Sequence, residues 1–327
     1  NILAAQSSEQ TTGYALISQI TIEGNKKTKD RVILREMDVI IGDTINISEI
    51  SETLLRNRQY IFNTSLFQAV EINIKNWDTN SNTLDLEIIV LEDWYIYPIP
   101  IFALADRNFN VWIKEFGASL RRTSYGLRFY HFNTTGNRDR TKILAQFGYE
   151  KRFELGYDRP NFNKAQTMGW NNSIRYLSRK EIGYSTIGNK QAFISNDETD
   201  QYESMRIRSQ LTFRPKINRY HSIAVDYISN SVSDTIILHL NPDYYLGSED
   251  NSQQYFKFNY TFVSDQRNFR TYPTKGSYFK GSINKEGIGI FGDVDIFTLD
   301  QTYAKYFEIS PKLSFESLGR LKYSINR

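Results

Sequence analysis

The chain has 327 residues, with no cysteine, 22 tyrosines and 21 phenylalanines, which is long enough for two domains or one large β architecture. Lys+Arg 40 against Asp+Glu 37 leave a formal net charge of +3, too close to neutral for nucleic-acid binding driven by bulk charge. Lack of cysteine excludes disulfide scaffolds, thiol nucleophiles and thiolate metal ligands, and the three scattered histidines His131, His221 and His239 are a poor metal set. Mean hydropathy is -0.51 and no apolar run approaches the ~18 residues of a transmembrane helix. Barrel strands, which are apolar only at alternate positions, escape that test.

Residues 1–13 read as a flexible terminus. The opening Asn1-Ile2-Leu3-Ala4-Ala5-Gln6 fits the small-residue end of a secretory signal, or an ordinary terminus, since a basic n-region is missing. Leu16 to Glu23 is a strand on a roughly two-residue period, ended by Gly24-Asn25. Thr28 is placed as the N-cap of a helix from Asp30 to about Met37. Gly42-Asp43 interrupts the chain. Ser48 then caps a second helix, with Glu49 and Glu52 at its positive end and Ile50, Leu54, Leu55, Ile61 and Phe62 at helical spacing. Leu66-Phe67 follows, Ala69 to Ile74 alternates, the turn-rich stretch Trp77 to Asn82 intervenes, and Leu84 to Ile88 alternates again. The expected order is strand, helix, helix, strand, strand.

After Trp94 nearly every segment reads as an amphipathic strand. Phe256, Phe258, Tyr260 and Phe262 face one way, and Lys257, Asn259 and Thr261 the other. Ile207, Leu211 and Phe213 alternate with Arg206, Arg208, Gln210, Thr212 and Arg214; Leu321, Tyr323 and Ile325 alternate with Arg320 and Lys322. A soluble sandwich or propeller gives the same alternation. Strand lengths of roughly 9–12 residues, near the span of a tilted transmembrane strand, favour a membrane barrel. So do tight turns at Glu150-Lys151-Arg152 and Lys216-Ile217-Asn218 set against long polar loops at Asn196 to Glu203 and Gly247 to Ser252.

The motif Ile20-Thr21-Ile22-Glu23-Gly24-Asn25, Lys27-Thr28, Val32-Ile33, Arg35-Glu36, Gly42-Asp43, Asn63-Thr64-Ser65-Leu66-Phe67 and Val70 resembles a POTRA (polypeptide-transport-associated) domain, here residues 14–94. The remainder, residues 95–327, resembles the barrel of the BamA-like outer-membrane superfamily. The resemblance rests on Pro98-Ile99-Pro100, Arg107 to Trp112, Tyr125-Gly126-Leu127, Asn133-Thr134-Thr135-Gly136-Asn137, Gly148-Tyr149 and Tyr157-Asp158-Arg159-Pro160. It extends to Ser264-Asp265-Gln266-Arg267 and Tyr272-Pro273-Thr274-Lys275-Gly276. The implied fold is an α+β POTRA domain, β-α-α-β-β, followed by an all-β antiparallel transmembrane barrel. Two departures stand out: one POTRA domain where the bacterial insertase carries several, and roughly eleven strands before Arg327 where such barrels have sixteen. The sequence is therefore expected to be an incomplete chain, or the barrel to be closed by something else.

The resemblance implies outer-membrane protein assembly in the bacterial outer membrane, with the POTRA domain in the periplasm. Implied partners are unfolded outer-membrane clients, outer-membrane lipid and other subunits of a complex. Two strand edges are expected to carry clients: Ala69, Val70, Glu71, Ile72, Asn73 and Ile74 in the POTRA domain, and Tyr97, Ile99, Ile101, Phe102, Ala103 and Leu104 in a first barrel strand of about Tyr97–Asp106. Pro98 and Pro100 cannot donate ladder hydrogen bonds, so that strand is expected to pair poorly at its start. Solvated edges and a simple interdomain hinge are the bland readings. Arg206, Arg208, Arg214, Arg320 and Lys322 are expected to line the lumen, as a conduit or as ordinary charge-paired lining. Asp226, Asp265 and Asp300 form no catalytic constellation, and Gly287, Gly289 and Gly292 lack the lysine and helix of a phosphate loop. No enzyme activity, cofactor, metal or nucleic acid is expected. An accessory barrel without insertase activity and a polypeptide-secretion pore remain the competing functions.

Overall fold

The computed structural model describes residues 13–105, 108–163, 165–245, 250–289, 291 and 293–326. Residues 1–12 of the expected flexible terminus, and Asp106, Arg107, Gly247, Gly292 and Arg327, lie outside the described residues. Two compact units are present: one runs to Trp94 and takes in Thr135–Asn137 and Asn268–Pro273, and the other holds the rest. Strands account for 59% of the structure.

In the first unit, β1 (Tyr14–Glu23) leads through α1 (Asp30–Leu34), β2 (Thr44–Asn46) and α2 (Ile50–Phe62) to β3 (Phe67–Asp78) and β4 (Thr83–Glu92). The sheet order is β2-β1-β4-β3, with β1 and β4 parallel and both outer pairs antiparallel. Ile17, Leu84, Leu86, Ile88 and Val70 are buried on one side of this sheet together with Ile33 and Ile61 from the helices. The order β-α-α-β-β is present, with short β2 added where the sequence showed only an interruption at Gly42-Asp43.

Both expected caps are reassigned. Thr28 is buried; its N–H and its hydroxyl each donate to a Glu92 carboxylate oxygen at 2.6 Å, tying the loop before α1 to the end of β4. The N-cap of α1 is Lys29, without a side-chain cap bond. Ser48 donates to the Asn46 side chain rather than capping, and Asn46 opens a short 3-10 turn, Ile47–Glu49, that runs into α2. Helix α2 buries Ile50, Thr53, Asn57 and Ile61, while Leu55 and Phe62 are exposed. Asn57 is 0% exposed: its amide donates to Asp38 Oδ1 (2.5 Å) and the Thr53 carbonyl (2.8 Å), and its oxygen accepts the Asp38 N–H at 2.7 Å. The turn expected from Trp77 narrows to residues 79–82. Asp78 accepts the Asn80 N–H and the Ser81 hydroxyl there, and Asn82 takes φ +50.

In the second unit, the chain forms β5 (Ile96–Leu104), α3 (Phe109–Lys114), β6 (Thr123–Phe132), β7 (Arg140–Gly148), β8 (Glu150–Arg159), β9 (Met168–Arg179), β10 (Glu181–Ile187) and β11 (Lys190–Ser195). It continues with β12 (Tyr202–Lys216), β13 (Arg219–Val232), β14 (Ser252–Asp265), β15 (Gly276–Glu286), β16 (Ile296–Ser310) and β17 (Leu313–Asn326). Eleven of these strands make one antiparallel sheet in the order β17-β16-β15-β14-β13-β12-β9-β8-β7-β6-β5, while β10 and β11 pair as a separate hairpin. Helix α3 lies in a stretch read as strand; its signal is Asn108, whose side chain accepts the Val111 N–H at 2.9 Å as an N-cap.

Long connections 180–201 and 233–251 share one end of the sheet, and the 217–218 turn lies at the other. The turn expected at Glu150-Lys151-Arg152 falls instead at Tyr149, at the long-loop end. The last β7–β8 pair is Gln146 with Arg152, so the reversal is centred on Tyr149, with Gly148 at φ +98 and Glu150–Arg152 already in β8 and paired to β9. A Cβ on Gly148 would sit 2.2 Å from the Thr123 carbonyl oxygen.

Replacing Asn57 by alanine removes three hydrogen bonds and orphans the Asp38 N–H. A loss of about 1–3 kcal/mol is expected, read as faster amide hydrogen exchange over residues 30–62 with exchange in the eleven-stranded sheet unchanged.

Candidate functional site

The large sheet sorts its side chains by strand register. Directly paired residues point to the same side, so a row of partners can be followed from strand to strand. One row reads Trp170, Leu211, Ile223, Tyr260, Ile283, Leu299 and Tyr323, every member apolar. The next row reads Thr212, Ser222, Thr261, Ser282, Asp300 and Lys322, every member polar. Along β12 the apolar Met205, Ile207, Leu211 and Phe213 are exposed, and Arg206, Arg208, Gln210, Thr212 and Arg214 are half-buried. A water-soluble sheet would bury its apolar face; here that face is the open one.

The five basic residues expected together, Arg206, Arg208, Arg214, Arg320 and Lys322, all fall on the polar face. Their settings differ. Asp226, 0% exposed, accepts from Arg206 through both carboxylate oxygens (3.1 and 2.9 Å) and from Arg208 at 3.4 Å. Arg214 donates to the Ile217 carbonyl and so clamps the 217–218 turn. Arg320 and Lys322 are exposed on β17, with no ion pair among the described residues. Lys142–Glu154 (2.6 Å) and Lys257–Glu286 (2.6 Å) extend the charged network, and Glu150 joins Arg152 (2.6 Å) and Arg179 (2.7 Å) beside the Tyr149 turn. Among the described residues no cluster of His, Asp and Glu could hold a metal ion.

The sheets have β2 and β3, and β5 and β17, as their outer strands; the two expected to carry clients are β3 and β5. In the first unit β3 is the outer strand, and its pairing with β4 is irregular at Phe67/Ala69 and Ile74/Asn76. Regular strand therefore spans the Ala69–Ile74 stretch, because each bulge twists the edge away from further pairing. Val70 is buried toward α2, and its carbonyl already accepts from the Arg58 guanidinium at 2.7 Å. Glu71 and Asn73 are exposed, while Ile72 and Ile74 are half-buried.

In the second unit β5 ends the sheet and pairs with β6 without a break from Ile96 to Leu104. The expectation that its prolines weaken this pairing is corrected by the parity of the ladder. The Phe132 N–H donates to the Tyr95 carbonyl at 2.7 Å and the Ala105 N–H to the Arg122 carbonyl at 2.9 Å. Hydrogen-bonded pairs alternate with non-hydrogen-bonded ones in antiparallel sheets. Odd-numbered residues from Tyr95 to Ala105 therefore bond to β6, and Pro98, Pro100, Phe102 and Leu104 turn their backbone groups to the open side. Opposite Phe129 and Leu127 the prolines take positions where β6 requires no donor. The expected set of Tyr97, Ile99, Ile101, Phe102, Ala103 and Leu104 thus divides: the four odd members are committed to β6, and Phe102 and Leu104 present an N–H to the edge. The sequence marks the prolines, but the side they face needs the register.

Known families fit this geometry. A POTRA family model, described as a surface antigen variable number repeat, matches residues 15–93, and an Omp85 superfamily domain model matches residues 133–326. The chain belongs to the Omp85 superfamily. It is an outer-membrane protein whose POTRA domain lies in the periplasm. Among solved structures it is similar to BamA from Haemophilus ducreyi lacking POTRA domains 1-3 (15% identity, TM-score 0.51, covering 96% of this chain and 56% of that one). It is also similar to CdiB from Escherichia coli (9% identity, TM-score 0.52, covering 96% and 55%). At these identities the likeness is one of fold, and the chain spans little more than half the length of either. No curated protein matches the sequence significantly.

Exchanging Asp226 for asparagine leaves Arg206 and Arg208 without their shared anion. The expected cost is about 2–3 kcal/mol, measured as a lower temperature at which the protein unfolds on semi-native gels. Adding Arg208→Gln to the same protein is expected to recover part of that loss by removing the like-charge contact.

Proposed function

We propose that this Omp85 protein handles extended polypeptides at the outer membrane, capturing unfolded clients by strand addition and directing them to the seam beside β5. The observation that supports this most is that β3, an outer strand of the POTRA sheet, pairs with β4 on one side and with no strand on the other among the described residues. Backbone hydrogen bonding at such an edge gives affinity without reading side-chain sequence, which suits a receptor for many different clients. At the seam, a client strand adds to β5 and enters the membrane as part of a sheet whose backbone groups are already paired. The apolar face meets outer-membrane lipid, and the polar face, with Arg206, Arg208, Arg214, Arg320 and Lys322, lines the lumen. The process is binding and templating, without catalysis or nucleotide hydrolysis, and other subunits of an outer-membrane complex are the expected partners.

Photoreactive residues at Ala69, Glu71, Asn73, Phe102 and Leu104 are expected to label an unfolded outer-membrane client several-fold more than the same probe at Arg206 or Arg208. Equal labelling at all positions would count against edge capture. With the protein in liposomes, insertion of a test barrel supports the insertase, ion conductance alone indicates a secretion pore, and neither indicates an accessory barrel.

A further inference from the structure

We propose that the periplasmic end of the β12–β13 hairpin binds the phosphate of an anionic phospholipid, held by Lys216 and Arg219 beside an aromatic shelf of Phe213, His221 and Phe262. Connectivity assigns the end. The chain enters the large sheet at Ile96 directly after the POTRA domain, which is periplasmic, and the antiparallel order puts the 217–218 turn at the same end as that entry. Both β12 and β13 are bonded to a neighbour on each side, so the site depends on no strand edge.

Register places the parts. Phe213, His221 and Phe262 form one row across β12, β13 and β14, on the face that carries Leu211, Ile223 and Tyr260 and meets lipid. Along β13, Arg219 shares the parity of His221, and Lys216 is its direct partner across the turn, so both cations point to that same face. The His221 and Phe262 ring centroids are 4.9 Å apart, and His221 Nδ1 lies 2.8 Å from the Tyr260 hydroxyl oxygen. Two residues of strand, about 7 Å, separate the shelf from Arg219. The rings therefore stand at the boundary of the acyl region, where aromatic side chains are favoured, and the cations at the level of the headgroups.

Like charges directly opposite one another in a ladder repel. Lys216 and Arg219 are both exposed, and neither forms an ion pair among the described residues. The carboxylate at the neighbouring end of β14, Asp265, lies on the polar face and is bound to Arg267 at 2.8 Å. An anion lodged between the two cations turns their repulsion into attraction. The turn that carries them is already fixed: Arg214 donates to the Ile217 carbonyl at 2.6 Å, and the Asp265 N–H donates to the Asn218 carbonyl at 2.8 Å. Little backbone order is then lost on binding. A guanidinium can reach two oxygens of one phosphate while the ammonium adds a point charge. A free anion would engage the charges alone, whereas a phospholipid also lays its acyl chains on the aromatic shelf.

The test uses the full-length protein in a non-ionic detergent, with dioleoyl phosphatidylglycerol or dioleoyl phosphatidylcholine added at equal concentration and bound lipid counted by native mass spectrometry. Retention of phosphatidylglycerol is expected to exceed that of phosphatidylcholine by about tenfold, the factor that one charge-assisted hydrogen bond supplies. A Lys216→Gln, Arg219→Gln variant is expected to bring it down to the phosphatidylcholine level; Arg219→Gln alone serves if the double variant does not assemble. Phe213→Ala is expected to lower retention of both lipids alike. Equal retention of the two lipids by the unaltered protein would overturn the anionic-lipid site. A preference that survives loss of both cations would overturn their role. Displacement of phosphatidylglycerol by inorganic phosphate would assign the cations to a free anion, and a subunit that co-purifies with the unaltered chain but not with the double variant would assign them to a protein; either result overturns the lipid.

Discussion

Everything in the larger unit depends on the pairing of backbone N–H and C=O groups between neighbouring strands. In hydrocarbon each unpaired group costs several kcal/mol, so a sheet there survives by bonding every interior strand on both sides. From β6 to β16 that condition is met. Once the ladder fixes the register, the two-residue period of the strand fixes which side chains share a face. The row from Trp170 to Tyr323 and the row from Thr212 to Lys322 are consequences of this: a one-residue slip in any strand would exchange the two faces for that strand.

Charge on the polar face follows the same geometry. Carboxylates sit where the register brings a basic residue opposite or diagonal to them: Asp226 is the direct partner of Arg208 and lies diagonally from Arg206. Lys257 is the direct partner of Glu286. A lone arginine on a half-buried face would have to keep water or move away, and a shared anion lets two stay. The lattice of ion pairs is thus an outcome of strand pairing, and it stiffens the sheet that produced it. Glu150 has the same effect at the Tyr149 turn, where it holds β8 to β9 through Arg179.

Much of this was legible in the sequence because its cause is local and periodic. Alternation along β12 and β14 announces two unlike faces without help from any other strand, and the motif from Ile20 to Val70 announces the POTRA order. Features set by distant partners were hidden. Thr28 looks like a helix cap by its neighbours, but Glu92, 64 residues away, takes its hydroxyl and its amide. Asn57 breaks the apolar spacing of α2 and gives no hint that Asp38 satisfies it in the core. Helix α3 was legible in principle at Asn108, but that cap signal lay in a region read only in general terms as strands. Of the two expected client edges, the Ala69–Ile74 stretch follows from alternation, whereas its bulged limits and the Arg58 bond to Val70 appear only once β4 and α2 are in place.

The two strands proposed to meet clients share one physical property: each offers few regular backbone donors on its outer side. Bulges bound the regular part of β3, and Pro98 and Pro100 carry no N–H on the side of β5 away from β6. A net hydrogen bond is worth about 1 kcal/mol, so a few of them, less the cost of ordering the client, leave modest affinity. A long unbroken edge would hold a client too firmly to release it, and would also invite pairing with other copies of the chain. Edges with few donors would avoid both outcomes. Under the proposed client capture, such edges would bind extended chain weakly and with little regard for sequence, and passage to the membrane would be driven by burial of the client's own apolar residues. On the proposed reading, weak edges suit handing a polypeptide onward without nucleotide hydrolysis better than a single strong site would.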